Sequence, residues 1–314
     1  MIQETNQTWT PPPNLKISDW SDNYRRLSPE SSAEAGAWRT DRAPYQREIM
    51  DSFNDPDIQR IVFMKSAQVG ATEILLNVIG YYIDQDPAPM LIMQPTLQMA
   101  QAFSKDRLAT MIRDSEKIRD CVKDPRSRDS GNTVLSKKFA GGNLNIVGSN
   151  SASGLASRPI RIVLADEVDR YEQSAGAEGD PISLATKRTT TFWNKKIYMC
   201  STPTIKGLSR IETAFEESDK RYYHVPCPEC NESQVLKWKN VVWDEDKPET
   251  ASYACEHCGS VIDESKKQWM LKHGEWIASA PKSDTAGFHI SELYSVWSTW
   301  ADMAKSFLEA KKNP

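Results

Sequence analysis

Three groups of residues in this 314-residue chain have the types and spacing to do chemistry. The first is Lys65-Ser66-Ala67-Gln68-Val69-Gly70-Ala71-Thr72, set between a short apolar run and a helical stretch. A loop that cradles phosphates needs backbone N–H groups at a helix amino terminus, a cation, and a hydroxyl for magnesium. On the pattern G-x-x-x-x-G-K-[ST], Gly70 and Thr72 are in register, while Lys65 stands at the first glycine and Ala71 at the usual lysine. The cation has moved to the start of the loop, within reach of β- and γ-phosphates for a long side chain. An ordinary strand–turn–helix with an incidental lysine would give the same string. The second group closes Ile160–Glu167 (IRIVLADE), an apolar run that ends in two acids. In nucleoside triphosphatases the first acid, here Asp166, holds the magnesium shell, and the second, Glu167, orients and deprotonates the attacking water. Carboxylates that merely cap the next turn are the alternative. Ser201 and Thr202 close a further apolar run, where hydroxyls can sense a γ-phosphate or simply make a turn. Upstream, Tyr45 and Gln46 are placed to stack on an adenine and read its edge, or to start a helix after Pro44. In series, these elements predict ATP and Mg2+ in one crevice at the ends of neighbouring strands.

The third group is Cys227-Pro-Glu-Cys230 and Cys255-Glu-His-Cys258, with 24 residues between the pairs. Four thiolates at this spacing predict a closed, tetrahedral Zn2+ site with a structural role. Two redox pairs would need a thioredoxin-like context, which is missing. Cys121 and Cys200 stand alone and read as packing residues. Arg158, Arg161 and Arg210 are candidates for a transition-state cation, and no spacing argument separates them.

These residues need a scaffold. Short apolar runs (RIVFMK, PMLIMQ, NLNIVG, RIVLAD, KIYMCS) alternate with amphipathic stretches, including helices expected over Tyr45–Phe53, from about 71 and from about 97. Such runs are the signature of parallel strands buried on both faces. The predicted fold is α/β: a P-loop NTPase, a three-layer sandwich with a mostly parallel sheet, followed by a small four-cysteine zinc ribbon. The expected division is an N-terminal arm over 1–44, an ATPase domain over 45–222, a zinc ribbon over 223–280, and a connector over 281–314 that ends in a helix. Lys plus Arg number 39 against 43 Asp plus Glu, a net charge of −4 that excludes a uniformly basic nucleic-acid coat. A local excess exists over 101–140, where ten basic residues face six acids; it reads as a track for a phosphate backbone or as an ion-paired helix face. The tryptophans at 9, 20 and 38 and from 238 onward read as packing for the peripheral units. No apolar run approaches the ~20 residues of a membrane span, and no signal peptide is recognisable. The chain reads as a soluble intracellular protein.

Over residues 19–300 the sequence resembles the ATPase portion of phage terminase large subunits of the lambda type. The matching stretches are 19–53, the loop KSAQVGAT, 148–171, MCSTPT, and the CPEC and CEHC pairs. The displaced lysine is the most specific of these. The resemblance implies a DNA-packaging motor, with Lys65 and Thr72 as nucleotide contacts and Asp166 as the magnesium acid. Glu167 is implied as base, Ser201–Thr202 as the coupling motif, and Tyr45–Gln46 as the adenine contact. Implied partners are double-stranded DNA, a small terminase subunit, the portal ring of the procapsid, and further copies of the chain. Gln68 departs from the arginine expected inside this loop. Family members continue into a nuclease domain; this sequence ends at Pro314, so that domain is expected to be absent or truncated here, and the endonuclease activity is left open. Two rival readings are a helicase-like remodelling ATPase and a non-catalytic zinc-ribbon DNA adaptor.

Overall fold

The computed structural model describes residues 15–122, 131–156 and 158–312. Trp9, the run Pro11–Pro13, and Lys123, Arg126 and Arg128 of the basic tract lie outside the described residues. Ten strands form one mixed sheet: β1 (Arg60–Lys65), β2 (Pro89–Gln94), β3 (Ser136–Phe139), β4 (Gly142–Gly148), β5 (Ile162–Asp166), β6 (Lys196–Ser201), β7 (Arg221–Pro226), β8 (Ser233–Val235), β9 (Glu275–Ala278) and β10 (Thr285–Ile290). Their order across the sheet is β8-β7-β10-β1-β6-β5-β2-β4-β3, with β9 also paired to β7. The six strands from β10 to β4 are parallel to one another. Antiparallel pairs close both edges, β3 on β4 and β8 and β9 on β7.

The apolar runs make these strands because both faces of the sheet are covered. Along β1, Ile61 and Phe63 enter one buried cluster while Val62 and Met64 enter the other. Side chains alternate across a strand, so a continuous apolar run serves two cores. Between β1 and β2 runs the helix Ala71–Asp84, whose Ile74, Leu75, Leu76, Val78 and Ile79 are all buried. A helix apolar on so many sides belongs inside a protein.

The stretch expected to be an extended arm is packed from residue 17 onward. The helix Ile17–Tyr24 buries Ile17 and Trp20 completely, and the Trp20 indole N–H donates to Asp84 Oδ2 at 2.8 Å. A Cβ on Gly80 would lie 2.3 Å from the Trp20 ring, which explains a glycine in mid-helix.

The expected boundary at 222 and the expected connector over 281–314 are both corrected by the topology. Strands β7 and β9 flank the cysteine segment yet belong to the main sheet, and β10 lies at its centre against β1. The cysteine unit carries its own three-stranded antiparallel sheet (Val241–Asp244, Lys247–Ala254, Val261–Ile262). Its Leu236, Tyr253 and Cys255 share the buried cluster of Phe63 and Ile290. The helix Trp300–Lys312 packs there too, Trp300 lying tilted against Tyr253 with ring centroids 5.7 Å apart. Among the described residues no helix is long and apolar enough to cross a membrane.

Candidate functional site

Parallel register gathers the polar strand ends. In the sheet β1, β6 and β5 are consecutive, with Met64 opposite Ser201 and Cys200 opposite Asp166. Lys65, Asp166–Glu167 and Ser201–Thr202 therefore emerge side by side, at the edge where open α/β sheets bind ligands. Lys65 Nζ donates to Glu167 Oε1 at 2.6 Å and lies 3.5 Å from Thr202 Oγ1. Glu167 Oε2 is buried without a hydrogen-bond partner, with Arg170 Nε 3.8 Å away. Glu167 also sits at φ 54°, a left-handed conformation that costs a non-glycine residue roughly 1–2 kcal/mol. Asp166 is buried and accepts from Gln94 Nε2 at 3.0 Å and from the Cys200 thiol at 3.1 Å. Burial pushes its carboxyl above the usual range, and Glu167 beside it pushes the same way, against those two hydrogen bonds.

The loop over 65–72 is held from behind by its carbonyls. Gln68 O accepts from Ser295 Oγ at 2.7 Å, and Val69 O accepts from Gln46 Nε2 at 2.9 Å and Tyr45 OH at 3.3 Å. Ser66 N–H donates to Ile290 O, at 3.1 Å. Gly70 adopts φ 76° at the start of the helix, and a Cβ there would meet Gln46 Nε2 at 2.3 Å and the Trp297 ring at 3.0 Å. Only glycine fits that position. Thr72, half-buried, lies in the first turn of the helix that follows.

The expected adenine contacts are corrected. Tyr45 and Gln46 have no exposed surface, and Tyr45 packs edge-on against Tyr223. Both buttress the loop through Val69 O instead of presenting a face to a base. Ser201 is likewise buried, its Oγ accepting from Asp169 N–H, so that only Thr202 of the pair reaches Lys65. Of the candidate arginines, Arg210 is spent on Val168 O, Tyr171 O and Glu172 O, and Arg161 on Asp86. Arg158 is exposed and lines a separate cavity. Much of the basic tract is ion-paired or buried: Arg107 pairs with Glu73, Arg113 with Glu30, and Lys137 is buried.

The second site is local. The four Sγ atoms of Cys227, Cys230, Cys255 and Cys258 lie within 4.8 Å of one another, with Cys227–Cys258 and Cys230–Cys255 at 3.9 Å. A tetrahedron of ~2.3 Å Zn–S bonds has edges of about 3.8 Å, whereas a disulfide needs sulfurs ~2.05 Å apart. Each knuckle turns through a left-handed residue just after its second cysteine, Asn231 (φ 64°) and Gly259 (φ 73°). Backbone N–H groups of Glu229 and His257 donate to Cys227 and Cys255 sulfur, both at 3.4 Å, as suits thiolates. The four residues can hold a metal ion.

A profile of the phage terminase large subunit gpA family, ATPase domain, matches residues 32–276. The chain belongs to that family. It is 32% identical to the terminase large subunit of Enterobacteria phage P21, across 96% of this chain and 51% of that protein. Its identity to the large subunit of Escherichia phage lambda is 29%, across 96% and 50%. The chain thus spans about half the length of these relatives. Among solved structures, the large terminase ATPase domain of Thermus phage P74-26 overlays with a TM-score of 0.46 at 13% identity, covering 86% of this chain and 87% of that one.

This terminase-family chain uses residues that its linear motifs do not reveal. Ile290 and Ser295 hold the loop from more than 200 positions away, and the Trp297 ring lies beside Gly70. Ile290 ends the strand TAGFHI, whose faint signal is a mixed run of small and apolar residues between Asp284 and Ser291, and Ser295 and Trp297 follow it. Asp169 is another, its carboxylate accepting from Ile211 N–H and from the backbone and hydroxyl of Thr204. It ties the turn after Glu167 to the loop after Thr202.

Proposed function

We propose that this chain is the ATP-hydrolysing motor part of a DNA-packaging terminase, built on a P-loop sandwich with a zinc ribbon. The observation that carries the reading is the Lys65–Glu167 contact at 2.6 Å beside Asp166 and Thr202, four residues from three strand ends meeting at one loop. Residues 65–72 hold the phosphates of ATP. Without them Lys65 and Glu167 neutralise each other; phosphate oxygens draw Lys65 away, and Glu167 is left to accept a proton from water. The water oxygen bonds to the γ-phosphorus as the bond to the β,γ-bridging oxygen breaks, and the proton rests on Glu167 Oε1 or Oε2. Magnesium supplies charge neutralisation at the β- and γ-phosphates when bound. Asp166 and Thr72 would hold it; each Asp166 oxygen has a single protein donor and keeps a lone pair. Ser201–Thr202 carry loss of the γ-phosphate into the exposed loop over 203–208: Thr202 meets Lys65, Ser201 Oγ accepts from Asp169 N–H, and the Asp169 carboxylate accepts from Thr204. Zn2+ in the four-cysteine site serves structure, since no ligand position stays open. Double-stranded DNA, a small subunit, a portal ring and further copies of the chain are the partners that family membership suggests, in the host cytoplasm.

DNA-stimulated ATP hydrolysis tests this. Wild type should turn over, and Lys65→Ala and Glu167→Ala should each lose at least ~100-fold. Loss in Glu167→Ala alone would remove Lys65 from the phosphate site. An inactive wild type that still binds DNA, with small subunit added, would replace the motor by a non-catalytic adaptor.

A further inference from the structure

A cavity of about 530 Å³ lies beside the loop on the side of Gln68 and Gly70, walled by Trp38, Glu73, Arg107 and Trp297. That volume is in the range of small-ligand sites, ~300–1,000 Å³. Lys65, Asp166, Glu167 and Thr202 do not line it. A triphosphate lying along the loop with its terminal phosphate at Lys65 and Glu167 therefore points its other end into this cavity. We propose that the cavity receives the nucleoside of that triphosphate and that the Trp297 indole stacks on the base. The proposal rests on the ATPase reading and supplies the base contact that buried Tyr45 does not.

Trp297 is the aromatic with a face to give. It is 42% exposed, whereas Trp38 is 6% exposed and commits its N–H to Thr40 Oγ1. Its position is tied to the loop. Ser295 Oγ donates to Gln68 O at 2.7 Å and accepts from Trp297 N–H at 3.2 Å. Arg42 Nη2 donates to Val296 O at 3.2 Å, and its guanidinium pairs with Glu34 on the cavity rim. Held this way, the indole lies against Gly70, where any side chain would push it off the loop. Polar groups on the other wall suit a sugar: Arg107 bridges Glu73 Oε1 and Ser31 O, and its Nε is buried without a partner.

The experiment is a pair of calorimetric titrations with Mg2+, one using a non-hydrolysable ATP analogue and one using inorganic tripolyphosphate. Stacking of one base gives about a tenfold change in affinity. Trp297→Ala should weaken the ATP analogue by about that factor and leave tripolyphosphate binding as in wild type, while Trp297→Phe recovers most of the loss. Independently, the analogue should quench tryptophan emission in wild type and not in Trp297→Phe, a variant that keeps an aromatic ring in place. Unchanged analogue affinity in Trp297→Ala, an equal loss for tripolyphosphate, or the same quench in Trp297→Phe would overturn the proposal. A wild type that binds tripolyphosphate as tightly as the analogue would overturn the proposal and leave the phosphate loop standing. A wild type that binds neither would overturn the ATPase reading and this proposal with it.

Discussion

The strand-end crevice and the four-cysteine site are specified in opposite ways. The crevice draws on residues 45, 46, 65–72, 94, 166, 167, 202, 290 and 295, from segments that lie far apart in the sequence. The cysteine site draws on two short knuckles and the turn residues behind them. Its sulfurs are assembled by local backbone geometry, so spacing alone announces it. The crevice exists only because parallel register aligns the ends of β1, β6 and β5, an outcome of long-range pairing. Yet the two regions share one buried cluster, with Cys227 and Cys255 in the same core as Phe63 and Ile290. A site specified locally is thus coupled mechanically to a site specified globally.

That coupling is open to attack, the largest effect first. A chelator, which would strip the proposed metal from the four cysteines, or Cys255→Ser, should lower the melting temperature by more than about 10 °C in a single transition and abolish ATP hydrolysis with it. Calorimetry that showed two transitions, with ATPase surviving the first, would break the coupling. Gly70→Ala should cut ATP turnover by at least ~10-fold, because the loop must move away from Gln46 or Trp297 and a 1 Å misplacement can cost ~100-fold. Melting should shift far less than on metal loss; equal damage to both would mean the loop is a structural element first. Ser295→Ala removes one hydrogen bond to Gln68 O, worth about 1 kcal/mol, and should raise the KM for ATP a few-fold. An unchanged KM would confine loop support to Gln46 and Tyr45. Smallest of all, Arg113→Ala should leave DNA stimulation and its salt dependence unaltered, since Arg113 is engaged by Glu30 and Asp114. A flattened salt dependence would restore the basic tract as a DNA track.

Particular residues show what was readable beforehand and what was not. The runs that became β1, β2, β4, β5 and β6 were legible because burial on both faces demands uninterrupted apolar residues. The polar ends of those strands were legible for the same reason, since Lys65 and Asp166 interrupt the pattern where the sheet stops. β10 was harder. TAGFHI holds a glycine, a threonine and a histidine, and its partner β1 is more than 200 residues away. Gly287 is there because a Cβ would fall 1.8 Å from Ser218 Oγ, a constraint visible only after packing. Tyr45 and Gln46 misled because an aromatic and an amide before a phosphate loop suit a base as well as they suit a buttress. Which role applies depends on whether the side chains face outward, and local sequence does not carry that information.

By itself, the sequence determined a parallel α/β sheet, the loop over 65–72, the paired acids, and the four-cysteine cluster. In each case a short-range rule sufficed: apolar runs for strands on both faces, glycine at a positive φ, and sulfur spacing for a tetrahedron. Only the tertiary structure decided that Lys65 rests on Glu167, that the segment over 285–297 completes the loop, and that the cysteine unit shares the core of the sheet. Those outcomes depend on which distant segments pair. Pairing is selected by the summed burial of the whole chain, so no single motif can encode it.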